Sequence, residues 1–351
     1  MNRSNKKQAF LASALLCASS MFSLSASAEV TDPTTVAQPA EIMPKAVQSQ
    51  LLDVTVAGTR LVAVGDRGHV LTSDDKGATW TQQNVPARQM LISVDFADSQ
   101  NGWAVGHDSI ILRTTNGGES WEIQNFDPET GQPLYGVLAL SANDAWAVGS
   151  FGKFLRTTDG GNTWEQQEIP LTEPGVHLIS MTQLPSGTLV IAGEAGMLAH
   201  STDMGDSWRL GQTAYAGSYF GVLPMGENGV MLFGLRGTAR IVDDVAKLDD
   251  MDPWDLDAFS IQQNWTDEEL AAIGYKNVTS PAQTAIFGGA ITYDGNYALV
   301  GQNGSLYKGT PGKTELVSVP SPTNNSLNSI VALDDRLIAV GLSGVKTIKL
   351  Q

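Results

Sequence analysis

Seven glycines, Gly65, Gly106, Gly149, Gly193, Gly234, Gly301 and Gly341, each close an apolar run, and the steps between them are 41, 43, 44, 41, 67 and 40 residues. Around each glycine the same phrase returns: an apolar strand before it, a short loop after it, a second strand, and then a polar box that in four copies ends in tryptophan. Alternation and β-branched content mark strands, as at 92–96, 103–105 and 110–114. A period in the low forties is the length of one four-stranded propeller blade, and seven copies suit a closed ring that leaves no sheet edge open. The expected fold is therefore all-β, a seven-bladed β-propeller with four-stranded blades over residues 51–351. The one long step marks an acidic insertion at about 243–283, placed between the fifth and sixth repeats.

The seventh repeat runs out after its third strand, so a fourth must come from elsewhere if no edge is to stay unpaired. Residues 36–43, ending Glu41-Ile42-Met43-Pro44, resemble the strand ending Glu168-Ile169-Pro170. The segment 29–50 is accordingly expected to close the ring as an N-terminal strand paired with the third strand of the last blade. Ahead of it, Arg3, Lys6 and Lys7, an apolar stretch from Ala9 to Leu24, and Ala26-Ser27-Ala28 follow the order of a secretory signal peptide, with cleavage expected after Ala28. Cys17, the single cysteine, falls inside that leader. Leu16 before it is too large for a lipid-attachment site. The mature chain is expected in the periplasm, with secretion as the alternative, and as a monomer on its own.

Charge narrows the partners. Lys and Arg number 21 against 37 Asp and Glu, a formal net charge of −16, which argues against nucleic acid and anionic membrane surfaces. No apolar run of membrane-spanning length follows the leader, so no direct insertion into lipid is expected.

The four complete boxes are Ser73-x-Asp75-x-Gly77-x-Thr79-Trp80, Thr114-x-Asn116-x-Gly118-x-Ser120-Trp121, Thr157-x-Asp159-x-Gly161-x-Thr163-Trp164 and Ser201-x-Asp203-x-Gly205-x-Ser207-Trp208. Asp or Asn can accept backbone N–H bonds inside the turn, Gly permits positive φ, and Trp covers the blade junction. A structural role is expected for them, with no bound metal and no cofactor. With Gly-Trp-Ala-Val-Gly at 102–106 and Leu-Arg-Thr-Thr-x-Gly-Gly at 112–118 and 155–161, the chain resembles the photosystem II stability/assembly factor-like propellers of the BNR/Asp-box superfamily. The resemblance implies a factor that binds a membrane protein or its precursor from the lumenal or periplasmic side. In non-photosynthetic bacteria it implies an accessory protein of a membrane complex such as a transport system.

Positions fixed by the fold recur between copies, whereas positions free for recognition differ. The loops after the repeat glycines differ most, and they share one face with the loops that enter each repeat. Candidate partner-binding residues there are Arg67, Arg88, His107, Tyr135, His177, Tyr219 and Arg236, since arginine and aromatic side chains suit interface anchoring. Arg113 and Arg156 form an incomplete basic stripe, continued by His200 and Lys308, and an arginine patch is what the resemblance implies. Trp254, within the acidic insertion, is a further candidate. In the same insertion Thr266 and Glu269 make a capping box ahead of a short helix at 267–273, with Trp265 stapling Leu270. The enzymatic alternative is a sialidase-like glycoside hydrolase, or a carbohydrate-binding Asp-box propeller. Such a hydrolase needs an arginine cluster and a tyrosine with a glutamate partner. Neither Tyr135 nor Tyr219 has an assignable glutamate in the sequence, and Glu194 is the acidic loop residue to test. The expected protein is a binder and not an enzyme.

Overall fold

The computed structural model describes residues 36–349 apart from 171–174, 212, 214, 249–265 and 273. The expected cleavage site, Trp254 and the Trp265 staple lie outside the described residues. Seven antiparallel sheets follow one another along the chain as the blades of a propeller. Blade one is β1–β4 (51–82), two β5–β8 (91–125), three β9–β12 (134–166), four β13–β16 (178–210), five β17–β20 (219–277), six β21–β24 (286–318) and seven β25–β27 (327–349). Within each blade the strands pair in chain order, so each sheet is a simple meander. The first strands of all seven blades surround a central cavity of about 360 Å3.

The repeat glycines have a common steric cause. Each opens the loop between second and third strands, and a Cβ there would be driven into the carbonyl oxygen of the residue before the first strand, as for Gly106 against Met90 and Gly301 against Ala285. That same carbonyl accepts the N–H of the residue after the glycine. The bond recurs in all seven blades, from Asp66 N–H to Gln50 O through Leu342 N–H to Ser326 O, at 2.9 to 3.1 Å. The glycine spacing is thus the signature of one backbone latch used seven times.

Apolar faces bury between neighbouring blades. Trp103 and Trp146 are fully buried, and Trp146 stacks on Phe154 with ring centroids 4.9 Å apart. The Asp boxes form the turn between third and fourth strands. In blade one Asp75 accepts from Ser73 Oγ at 2.8 Å, Thr79 N–H at 2.8 Å and Thr79 Oγ1 at 2.6 Å, while Gly77 N–H donates to Ser73 Oγ. These donors hold the Asp75 carboxyl down at about 2, with Thr79 the largest cause, and Asp203 is held at about 2 by Ser207 and Ser201 in the same way. The box carboxylates are committed to their own turns.

Two expectations are corrected. The long step does not fall between blades five and six: β19 (Ala239–Val242) and β20 (Tyr275–Asn277) bracket it as third and fourth strands of blade five. The insertion therefore replaces that blade's Asp box, and its buried Val245, Leu248 and Leu270 fill the junction with blade four. Its capping box is present, Glu269 accepting from Thr266 N–H at 2.8 Å ahead of the helix Asp267–Ala272, and Gly274 follows at φ 76°. The second correction concerns ring closure. Residues 36–43 form no strand on blade seven; Ala40 N–H donates to Val85 O, and Met43 N–H to Gln82 Oε1, on the outer side of blade one. Glu41-Ile42-Met43 is followed by Pro44, and the chain then turns through Ala46–Gln48 beside Gly344, the place that the entering loop takes against every other blade. The seam between blades seven and one is joined instead by Asn328 donating to Leu51 O at 2.9 Å and Ser329 Oγ to Asp53 at 2.7 Å. Among the described residues β27 (Gly344–Lys349) has no fourth-strand partner.

Candidate partner-binding face

The loops after the repeat glycines and the loops that enter each blade share one end of the ring, and the boxes lie at the other. In six of the loops the residue two after the glycine sits in the left-handed region: Arg67, Asp108, Phe151, Ala195, Arg236 and Asn303, with φ from 54° to 58°. That conformation turns the side chain outward, and it is unusual for a residue as bulky as phenylalanine. Phe151 is 62 % exposed, and Leu342 on the seventh loop is 54 % exposed.

Just inside this rim lies an apolar collar. The second residue of each first strand, Leu52, Ile92, Tyr135, Ile179, Phe220, Phe287 and Asn328, lines the mouth of the central cavity. Six of the seven are apolar or aromatic, all are half-buried, and Phe220 and Phe287 pack with ring centroids 5.7 Å apart. Strand alternation explains the choice, because the preceding residue of each strand turns into the blade and the next one back toward the channel. The sequence signal for the collar is therefore a fixed offset, the position after the first buried residue of each blade.

Between blades three and four the rim and collar meet. His177 lies 5.8 Å from Tyr135 and 4.8 Å edge-on from Phe151, centroid to centroid, and its Nδ1 accepts Phe151 N–H at 3.0 Å. Glu194 accepts His177 N–H at 3.3 Å. Burial, reinforced by Glu194, raises the Tyr135 phenol pKa. The structure thus places Glu194 and His177 among the neighbours of Tyr135, a grouping that the sequence could not assign.

The structure divides the other candidates. Arg67, Arg88, His107 and Arg236 are exposed on the rim, and Arg67 and Arg88 border a cleft of about 360 Å3 with Glu41 and Met43. Tyr219 is not at the surface: it is fully buried and its Oη lies 3.2 Å from that of Tyr275. Its neighbour Phe220, half-buried, holds the place at the channel mouth. Arg113 is 7 % exposed and sits at the opposite end of its blade, with its guanidinium 3.8 Å from the Trp103 ring centroid. It donates to Thr114 O at 2.7 Å, to Asn101 at 2.8 Å and, across the blade junction, to Ala142 O at 2.8 Å. Arg156 pairs with Asp144 at 2.9 Å within its own blade and covers Trp146, and Lys308 lies 3.5 Å from Asp294. Of the basic stripe, Arg113, Arg156 and Lys308 are thus each engaged in contacts within the protein. Arg113→Ala should cost about 2 kcal/mol in denaturant unfolding through lost packing and hydrogen bonds, and leave rim-dependent binding unchanged; a selective loss of binding at full stability would restore Arg113 to the site.

Ring and boxes together define a propeller of the Asp-box class. The sequence profile described as "Photosynthesis system II assembly factor YCF48" matches residues 33–145 and 126–308. The chain belongs to that family. A chloroplastic photosystem II stability/assembly factor HCF136 of Cyanidioschyzon merolae is 39 % identical over 54 residues, 15 % of this chain and 12 % of the relative. A photosystem II assembly lipoprotein Ycf48 of Synechococcus is 28 % identical over 113 residues, 31 % of this chain and 34 % of the relative. The matched segments thus span well under two thirds of either relative. Among solved structures, YCF48 bound to D1 peptide covers 90 % of this chain and all of that one at 18 % identity, with a TM-score of 0.64. Virginiamycin B lyase of Staphylococcus aureus covers 90 % of this chain and 99 % of its own at 11 % identity, with a TM-score of 0.69. At these identities the solved structures attest the fold alone.

Proposed function

We propose that this protein is an exported, non-catalytic propeller that binds a membrane protein as an assembly, stability or accessory factor for its complex, and that it grips the partner with the rim and the collared channel mouth. The observation that carries the reading is the coincidence on one end of the ring of exposed Phe151 and Leu342, the apolar collar, and the outward-turned loop residues. Aromatic and arginine anchors around a desolvated centre are the composition of an interface core. Family membership supports the assembly role, and one relative is named for binding a D1 peptide. The charge-hydrophobe-small order of the leader supports export to the periplasm. A transport system is the partner class the resemblance suggests.

The test is photocrosslinking in the native cell. A photoreactive residue at position 151 should yield adducts with a membrane protein, whereas one at Met204, exposed on the box end, should not. Phe151→Glu combined with Tyr135→Ala should lower retention of that partner at least tenfold. Adducts from position 204 alone, or undiminished retention by the double variant, would sink the reading.

A further inference from the structure

The junctions between blades share a pattern. In blades one, two and four the glycine of the turn between third and fourth strands packs over the same position on the second strand of the blade before it, whereas in blade three Gly161 meets Gln124 of blade two. Gly77 of blade one lies against Ile338 of blade seven, Gly118 against Val62, and Gly205 against Trp146. Trp80, Trp121, Trp164 and Trp208 fill these junctions in blades one to four, Leu248 and Leu270 of the insertion do so in blade five, and Leu316 in blade six. The corresponding residue facing blade seven is Ala298. It borders a slot of about 210 Å3, closed on the other side by Leu337 and Ile348 of blade seven.

A second observation falls at the same place. In five blades the first residue of the third strand offers its carbonyl to a backbone N–H just past the fourth strand, as Gln83 N–H to Val70 O and Val319 N–H to Leu306 O. In blade seven the equivalent carbonyl, on the residue that pairs with the one before the repeat glycine, belongs to Val345, and the Lys346 ammonium lies 3.4 Å from it and 2.8 Å from Ser343 O. A flexible cation stands where a strand belongs, which is how open edges are commonly guarded. Tyr297, also bordering the slot, is fully buried, and its hydroxyl has no hydrogen-bond partner among the described residues.

We propose that blade seven is completed in trans by an extended segment of a partner protein, whose bulky aromatic side chain enters the slot beside Ala298 and whose backbone pairs with β27. Main-chain pairing would supply affinity and the slot would supply selectivity, the division of labour in strand addition to a sheet edge. The segment carries acidic residues, because Lys346 and Lys349 flank the edge on an otherwise acidic protein. Residues 36–49 of this chain are engaged on blade one and at the entry to β1, and residues 29–35, which the expected cleavage leaves ahead of them, contain no aromatic side chain. The place lies on the outer side of the ring, away from the rim, so it stands or falls apart from the rim's role.

The probe is a labelled peptide with this chain's own blade-two sequence, residues 117–126, offered to the full-length protein. Saturable binding should protect amides within 344–349 from hydrogen exchange, and replacing the peptide's tryptophan by alanine should weaken binding at least tenfold. Ala298→Trp, which fills the slot, and Thr347→Pro, which removes a ladder donor, should each cause a comparable loss. If either variant fails to fold, the exchange map of the unaltered protein decides. Protection elsewhere, no protection at all, or equal binding of the alanine peptide overturns the proposal. So does concentration-dependent dimerisation that protects the same amides without peptide, which would assign the place to a second copy.

Discussion

Gly106→Ala should lower the free energy of unfolding by about 3 kcal/mol, the upper range for forcing an extra methyl into a packed site. The added Cβ meets the Met90 carbonyl oxygen, and that oxygen also accepts His107 N–H at 3.0 Å. Relief would require either the strand or the loop to move, and both are held by their neighbours. Gly131 makes the proper comparison. A Cβ there meets nothing within 4 Å, and its φ of 59° leaves only the conformational cost, about 1 kcal/mol for alanine in the left-handed region. Denaturant titration of the two variants separates steric collision from backbone preference. Equal losses would mean that the repeat glycines recur for conformational reasons, and the seven-fold latch would lose its explanation.

The other large effect is a pH dependence at a blade junction. Asp95 accepts Ala139 N–H at 2.8 Å across the junction of blades two and three. Burial drives its pKa up from 3.8 to about 7, with nearby Asp53 adding to the rise and the Ala139 and Phe96 N–H groups opposing it. Asp53 is itself raised by burial while accepting from Val94 N–H at 2.9 Å and Ser329 at 2.7 Å, so it ties blade one to blades two and seven. A raised folded pKa means that the native state holds a proton the unfolded chain releases. The stabilising contribution is therefore complete below about pH 3.8 and is lost as pH rises through 7. Asp95→Asn, a permanent mimic of the neutral acid, should match the unaltered protein near pH 4 and exceed it by about 2 kcal/mol at pH 8. Parallel stability profiles for the two proteins across that range would refute the assignment.

Much of this fold was legible because its repeats are enforced by close contact. A glycine that must avoid a carbonyl cannot drift, so seven glycines, five of their six steps between 40 and 44 residues, revealed seven blades. The boxes were legible for a similar reason, each Asp or Asn being surrounded by donors at fixed offsets. Ring closure was not. Residues 36–43 share a short polar-apolar pattern with a fourth strand, but pattern cannot say which of two neighbouring edges a segment meets, and Gln82 and Val85 of blade one supplied the partners. The insertion was mislocated because it lacks the box that marks the third-to-fourth turn everywhere before it.

The geometry of the candidate rim was legible in part. Variation between copies located the rim, where Arg67, Arg88, His107 and Arg236 are exposed, but Tyr219 and Phe220 could not be told apart without the strand register. Arg113 was named from its charge and its repeated phrase, which do not reveal its indole, carbonyl and amide neighbours. The collar was overlooked since Leu52, Ile92, Ile179 and Phe287 look like ordinary core. Only the closure of the ring brings them to one mouth.

The six left-handed loop positions have a consequence for engineering. One backbone shape already carries arginine, aspartate, phenylalanine, alanine and asparagine, which means the chemistry displayed there is uncoupled from the latch beneath it. Randomising residues 67, 108, 151, 195, 236 and 303 together would generate a combinatorial surface on an unchanged frame. New specificities could then be selected from this ring without redesigning its interior.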